Sequence, residues 1–179
     1  MGDSRQTKRA LADAMKRLME QTPFSKISVG DICQACQMNR KSFYYHFRDK
    51  YDLVNWIFQS EFLAAVPWDQ YDSPQPIIRA LCFYFYENRA FYRNALTIEG
   101  QNSFQDYFRS TLAPILQAVA EDQFGTDSPD ADFFIHFCAD ALLAAIIRWL
   151  SGKNCMEPEK FTRLLHRSVR YCSKLTELP

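Results

Sequence analysis

Apolar residues recur at helical spacing along most of the chain. Leu11, Met15, Leu18 and Met19 fall at i, i+4, i+7 and i+8, one stripe on a helix expected from Ser4 to Gln21. Pro23 ends it, because the residue before a proline is pushed out of helical geometry. Between Ser28 and Leu53 the pattern tightens. Ser28, with Asp31 three residues on and Ile27 and Ile32 as apolar brackets, marks one helix start. Asn39, bracketed by Met38 and Phe43, marks a second, and Asp49, followed by Asp52, a third. Starts this close leave only short helices and tight turns between them. Two short helices across a tight turn are the geometry of a helix-turn-helix.

Beyond Asp49 the periodicity stays helical. A helix is expected from Asp49 to Val66 with Leu53, Ile57 and Ala64 facing inwards. Pro67, Pro74 and Pro76 mark a connector. Phe83 to Tyr86 has strand propensity, but Ile77, Ile78, Leu81, Tyr84 and Phe85 form a wide helical face and no partner strand lies nearby, so helix is expected. A short helix follows at Ala90–Leu96. A long one, Ser103–Phe124, should kink at Pro114 and is closed by Gly125. Asp130–Ser151 is apolar around most of its circumference and needs burial on more than one side. Pro158 opens the last helix, whose stripe is Phe161, Leu164, Leu165, Ser168, Val169, Cys172 and Leu175. The class is therefore all-α. We expect a three-helix N-terminal domain with a helix-turn-helix, residues 1–48, and a helical ligand and dimerisation domain, residues 49–179.

The net charge of zero would argue against a nucleic-acid partner if it were evenly spread. It is not. Residues 1–50 hold ten bases against five acids, +5, and residues 51–179 hold eleven against sixteen, −5. A basic head on an acidic body suits a protein that meets phosphates at one end. Met1 to Glu20 has no apolar signal segment, and Phe133–Leu150 carries His136, Asp140 and Arg148, which a membrane span would not. A cytoplasmic protein with no membrane contact is expected. The six cysteines lack framework spacing and read as reduced core residues.

The second short helix carries the candidate chemistry. Phe43 and Phe47, at i and i+4, point into the core. Arg40, Lys41, Ser42, Tyr44, Tyr45 and His46 are then left outside or on the flank. Arginine and lysine pair with guanine edges, and hydroxyls reach phosphates. Lys50, in the first turn of the next helix, is expected to share a phosphate with the free backbone N–H groups there. Asn39 belongs to the same surface as the cap. The competing reading is a helical interaction module with no DNA role.

Ile32, Ala35, Met38, Ser42, Phe43, Tyr44, Phe47, Lys50 and Leu53 together resemble the N-terminal domain of TetR-type (tetracycline-repressor-like) regulators. The resemblance implies DNA contacts at Arg40, Lys41, Ser42, Tyr44, Tyr45, His46 and Lys50, with Ser28 on a phosphate. It also implies a homodimer through the last two helices on a palindromic double-stranded operator, with DNA affinity set by an effector at the C-terminal domain. Two departures stand out. Gln37 occupies a turn position where the family usually has glycine, and a left-handed side chain there costs about 1 kcal/mol. Lys41 stands where the family often has glycine, and adds a contact.

The aromatic body allows two readings. Tyr84, Asn88, Tyr92, Tyr107 and Trp149 could line a small-molecule pocket with a few aimed polar groups; alternatively the aromatics are plain core. Phe91-Tyr92-Arg93-Asn94-Ala95-Leu96 is similar to a subgroup that includes regulators of dihydroxyacetone-kinase operons, which implies a partner protein as the alternative to a small-molecule effector. Cys33-x-x-Cys36 near His46 lacks a fourth ligand, and Asp132, His136 and Asp140 read as the wet edge of a helix, so no metal or cofactor is expected. No nucleophile–base motif or phosphate-cradling glycine loop is present, so no enzyme is expected either.

Overall fold

The computed structural model describes residues 2–67, 73–98, 100, 102–125 and 128–172, and among these every regular element is helical. Helix α1 (Gly2–Gln21) buries Leu11, Met15 and Met19 on the stripe the spacing predicts. One 3₁₀ turn at Phe24–Lys26 drives Phe24 into the same core. Helices α2 (Val29–Ala35) and α3 (Arg40–His46) follow, then α4 (Lys50–Phe58).

Helix α4 does not run on as a plain α-helix to Val66. Its last turn, Gln59–Leu63, is π-helical. A π turn holds an extra residue and rotates everything after it. Phe62 and Val66 therefore reach the core, and Ala64, expected inside, is exposed. Of the connector expected at Pro67, Pro74 and Pro76, residues 68–72 lie outside the described residues, and Pro74 and Pro76 fall instead in the first turn of the next helix, where a missing N–H costs nothing.

The body comprises α5 (Pro74–Glu87), α6 (Arg89–Ala95), α7 (Phe104–Phe124), α8 (Pro129–Ser151) and α9 (Pro158–Cys172). The Phe83–Tyr86 run is helical within α5, as expected. Gly125 ends α7 at φ +83°, a backbone conformation open to glycine at little cost. Helices α7 and α8 pack side by side, and α9 lies against α5.

Beside a smaller cluster of Ala120, Ala131 and Ile135 between the two long helices, one apolar core runs from Leu11 to Phe161 through head and body alike. Phe58 of α4 is its junction. Its ring meets Phe62, Phe85, Phe104 and Phe108 at centroid distances of 5.3, 5.8, 5.4 and 5.9 Å. Aromatic pairs at these separations contribute beyond their buried area. Helix α4 is thus a wall shared by both halves.

Polar side chains tie the halves together around this core. Lys16 of α1 donates to Glu61 of the π turn at 2.8 Å and to Asn88 Oδ1 at 3.1 Å. The Tyr84 hydroxyl donates to Glu61 at 3.0 Å and lies 2.8 Å from the Tyr92 hydroxyl. Burial, first of all, raises both phenols above their ordinary range. Asn94 of α6 reaches further. Its amide nitrogen donates to the carbonyls of Met19 (3.0 Å) and Thr22 (2.8 Å), and its amide oxygen accepts from the Phe24 N–H (3.0 Å). These three backbone groups belong to the segment that ends α1 and leads into α2. Arg93 locks α6 to the end of α8 by donating to the carbonyls of Leu150 and Gly152.

Candidate nucleic-acid interface

The head is built from the caps the sequence announced. Ser28 accepts from the Asp31 N–H at 3.2 Å, and the Asp31 carboxylate accepts from the Ser28 N–H at 2.8 Å, closing a reciprocal cap. The Ser28 hydroxyl also donates to Asp31 at 2.7 Å. These hydrogen bonds hold the Asp31 pKa below its ordinary carboxylate value. Gln37 turns the chain with φ +57°, the left-handed conformation expected where the glycine is missing. Asn39 then caps α3, its side-chain oxygen accepting from the Ser42 N–H at 2.8 Å and from the Ser42 hydroxyl at 3.2 Å.

Helix α3 is pinned from below. Phe43 and Phe47 are both buried, and the Phe47 ring packs edge-on against Trp56 at 5.6 Å. Cys33 is buried beside them and its thiol reaches the Asn39 carbonyl, consistent with a core residue. With that face fixed, Arg40, Lys41, Tyr44 and Tyr45 point outward; Tyr44 is 58% and Tyr45 83% exposed. His46 is half-buried with its ring edge-on to Tyr45 at 4.9 Å. Ser42 is half-buried beside its cap. The result is a ridge of two cations and two phenols on a rigid seven-residue helix.

Two expected contacts have other duties. The Lys50 ammonium turns inward, donating to the carbonyls of Phe24 (2.8 Å) and Ile27 (2.7 Å) and lying 4.2 Å from the Phe24 ring centroid. Desolvation lowers its pKa. Lys50 therefore holds the turn before α2, with one N–H of its three left for a phosphate. The Ser28 hydroxyl, for its part, must leave Asp31 before it can donate to a phosphate.

One contributor escaped the sequence reading. A Cβ on Gly30 would stand 2.6 Å from Arg40 Nη2. Gly30 thus leaves room for the Arg40 guanidinium across the start of α2, near enough to Asp31 to help lower its pKa. A glycine inside a helix costs stability and so signals a close approach, but the sequence alone does not say by what.

The five candidate pocket residues do not line one space. Tyr84, Asn88 and Tyr92 belong to the polar seam between α1, the π turn and α6, with Tyr92 fully buried. Tyr107 is half-buried, 6.4 Å from Phe58. Trp149 stacks on Phe161 at 4.1 Å and donates to the Met156 carbonyl at 2.8 Å. An apolar cavity lies elsewhere, among Phe62, Ile77, Leu81, Leu112, Cys138 and Leu142. It encloses about 50 Å³, well short of the several hundred typical of a small-molecule site. The aromatics pack against each other because ring-to-ring contact fills space better than the loose lining the sequence allowed.

On α8, Asp132, His136 and Asp140 are exposed, and Asp140 accepts from Arg109 of α7 at 2.6 Å. Phe133 (73%) and Phe137 (62%) of the same helix face outward, with Leu164 and Tyr171 of α9 also exposed. Cys33, Cys36, Cys82, Cys138 and Cys155 are free thiols.

Comparison with known proteins agrees with this geometry. Residues 11–57 match the model for bacterial regulatory proteins of the tetR family, and residues 72–171 match a model for a transcriptional regulator C-terminal region of TetR type. A curated relative from Lactococcus lactis subsp. lactis (strain IL1403), the HTH-type dhaKLM operon transcriptional activator DhaS, is 30% identical over 118 residues. That match spans 65% of this chain and 62% of the relative's length. A solved structure named as the dihydroxyacetone kinase operon activator DhaS superposes with a TM-score of 0.62 at 26% identity, covering 92% of this chain and 97% of that one. A TetR transcriptional regulator from Streptococcus agalactiae 2603V has a TM-score of 0.68 at 21% identity, over 90% and 92% of the two chains. NalD, the secondary repressor of the MexAB-OprM multidrug efflux pump in Pseudomonas aeruginosa, shares the fold at a TM-score of 0.63 and 18% identity, over 95% and 97%.

Proposed function

The chain belongs to the TetR family of bacterial regulatory proteins, and we infer that it is a sequence-specific DNA-binding transcriptional regulator. The observation that carries this reading is the α3 ridge: Arg40, Lys41, Tyr44 and Tyr45 stand outward on a short helix whose other face is sunk in the core. A helix so presented enters the major groove, where cations and hydroxyls meet base edges and phosphates. Asn39, Ser42, His46, Ser28 and the remaining Lys50 N–H form its rim.

The regulator acts as a homodimer. The exposed aromatics of α8 and the apolar flank of α9 supply a self-complementary face, and a two-fold axis sets two α3 helices on the two halves of a palindromic operator. An effector or partner protein at the C-terminal helices shifts the spacing of the heads. It lowers DNA affinity by its differential affinity for the two spacings. The Asn94 and Lys16 bonds, which join α6 and the π turn to the head, support such coupling.

Selection of bound sequences from random duplex DNA, followed by a salt titration on the selected site, tests the reading. Affinity is expected to fall steeply with salt, and Arg40→Ala or Lys41→Ala to weaken binding by about 1–3 kcal/mol. Selection that yields no enriched sequence refutes it, as does binding that neither substitution changes.

A further inference from the structure

Four of the eleven bases in residues 51–179 gather at one groove, on a half of the chain whose net charge is negative. The groove lies between α5 and α9, opens to solvent with a volume of about 370 Å³, and has Arg79, Glu159, Arg163, His166, Arg167 and Arg170 among its lining residues. The last four sit at i, i+3, i+4 and i+7, so α9 presents them as one row, and all four are exposed. Like charges at these spacings weaken the helix that carries them. The one acid lining the groove, Glu159, is already paired with Arg79 at 2.9 Å. Among the described residues Arg163 and Arg167 form no ion pair.

Packing gives no reason for Arg163 and Arg167. Helix α9 is held to the body by Pro158, Phe161 and Thr162, and Thr162 bonds back to the Pro158 carbonyl at 2.8 Å. Arg163 and Arg167, like charges four residues apart that work against their own helix and form no ion pair among the described residues, are the kind of local conflict found at binding sites.

We infer that this groove binds a phosphate-bearing small molecule. Arginine keeps its charge at any physiological pH, and its planar fork matches phosphate oxygens two at a time. The volume of this open groove falls in the range of small-ligand sites. Helix geometry also keeps the groove clear of the proposed dimer face. Leu164 and Tyr171 each follow a groove arginine by one residue, about 100° further round α9. A second copy seated on that apolar flank leaves the cationic row open. The assignment stands apart from the DNA-binding reading.

Isothermal titration calorimetry of the full chain with inorganic pyrophosphate, at ionic strength held constant with chloride, tests it. One pyrophosphate per chain is expected at the groove. The Arg163→Gln/Arg167→Gln pair should weaken it by about tenfold or more, with the helical circular dichroism retained. Arg79→Gln, which leaves α9 untouched and unpairs Glu159, should weaken it too, so the assignment is testable even where the α9 pair fails to fold. Arg40→Ala/Lys41→Ala should leave this site intact. The inference is overturned by affinity unchanged in the Arg163/Arg167 and Arg79 variants, or by binding lost only in the Arg40/Lys41 variant. It is equally overturned where poly-glutamate or duplex DNA occupies the groove more tightly than pyrophosphate, which would make it a macromolecular docking face.

Discussion

Replacing Asn94 by alanine removes three hydrogen bonds with one side chain. The carbonyls of Met19 and Thr22 lose donors at 3.0 and 2.8 Å, and the Phe24 N–H loses its acceptor at 3.0 Å. A typical internal hydrogen bond contributes about 0.5–1.5 kcal/mol net, and a stranded buried partner costs more. Asn94 is only half-buried, so water will reach part of the gap. The expected loss is therefore about 2–4 kcal/mol. For a chain of this size that lowers the melting temperature by roughly 5–15 °C. Hydrogen exchange locates the effect: the Phe24 amide, protected in the parent, should exchange at least about tenfold faster in the variant. Protection of amides in α7 and α8 should follow only the global loss. Asn94→Asp makes a sharper version, since a carboxylate offers no donor to the two carbonyls while still accepting from Phe24. Unchanged Phe24 exchange and an unchanged denaturant midpoint in Asn94→Ala would refute the view that α6 holds the head through this side chain.

Gln37→Gly should stabilise the head by about 0.5–1 kcal/mol, because the left-handed turn no longer strains a side chain; a lower urea midpoint contradicts this. Asp31, with its pKa held below the ordinary value by the Ser28 hydrogen bonds, contributes stability that is fully present above that ordinary value and is lost as pH falls through the lowered one; Asp31→Asn should remove this acid-side dependence, as parallel acid-unfolding curves would show. Phe133→Glu should convert the proposed dimer to monomer in sedimentation velocity and weaken binding to the selected DNA site. Its thermal stability at low concentration should change by under about 0.5 kcal/mol, since the ring is mostly exposed within the chain.

What the sequence determined by itself was local. Helix starts at Ser28, Asn39 and Asp49 are written in side chains that bond to backbone two or three residues away, and the structure places every one of those bonds. The left-handed turn at Gln37 and the burial of Phe43 and Phe47 beneath an exposed Arg40, Lys41 and Tyr45 follow from spacing of the same short range. The tertiary structure decided what spacing cannot carry. One extra residue in the π turn moved Ala64 out of the core and brought Phe62 and Val66 in. Lys50 faces inward because the Phe24 and Ile27 carbonyls, some twenty-five residues earlier in the chain, end their segments where its ammonium can reach them. Tyr84 and Trp149 read alike as pocket aromatics, yet one bonds to Glu61 and the other stacks on Phe161. Periodicity says which face of a helix is apolar; only the packing of one helix on another says which ring fills which gap.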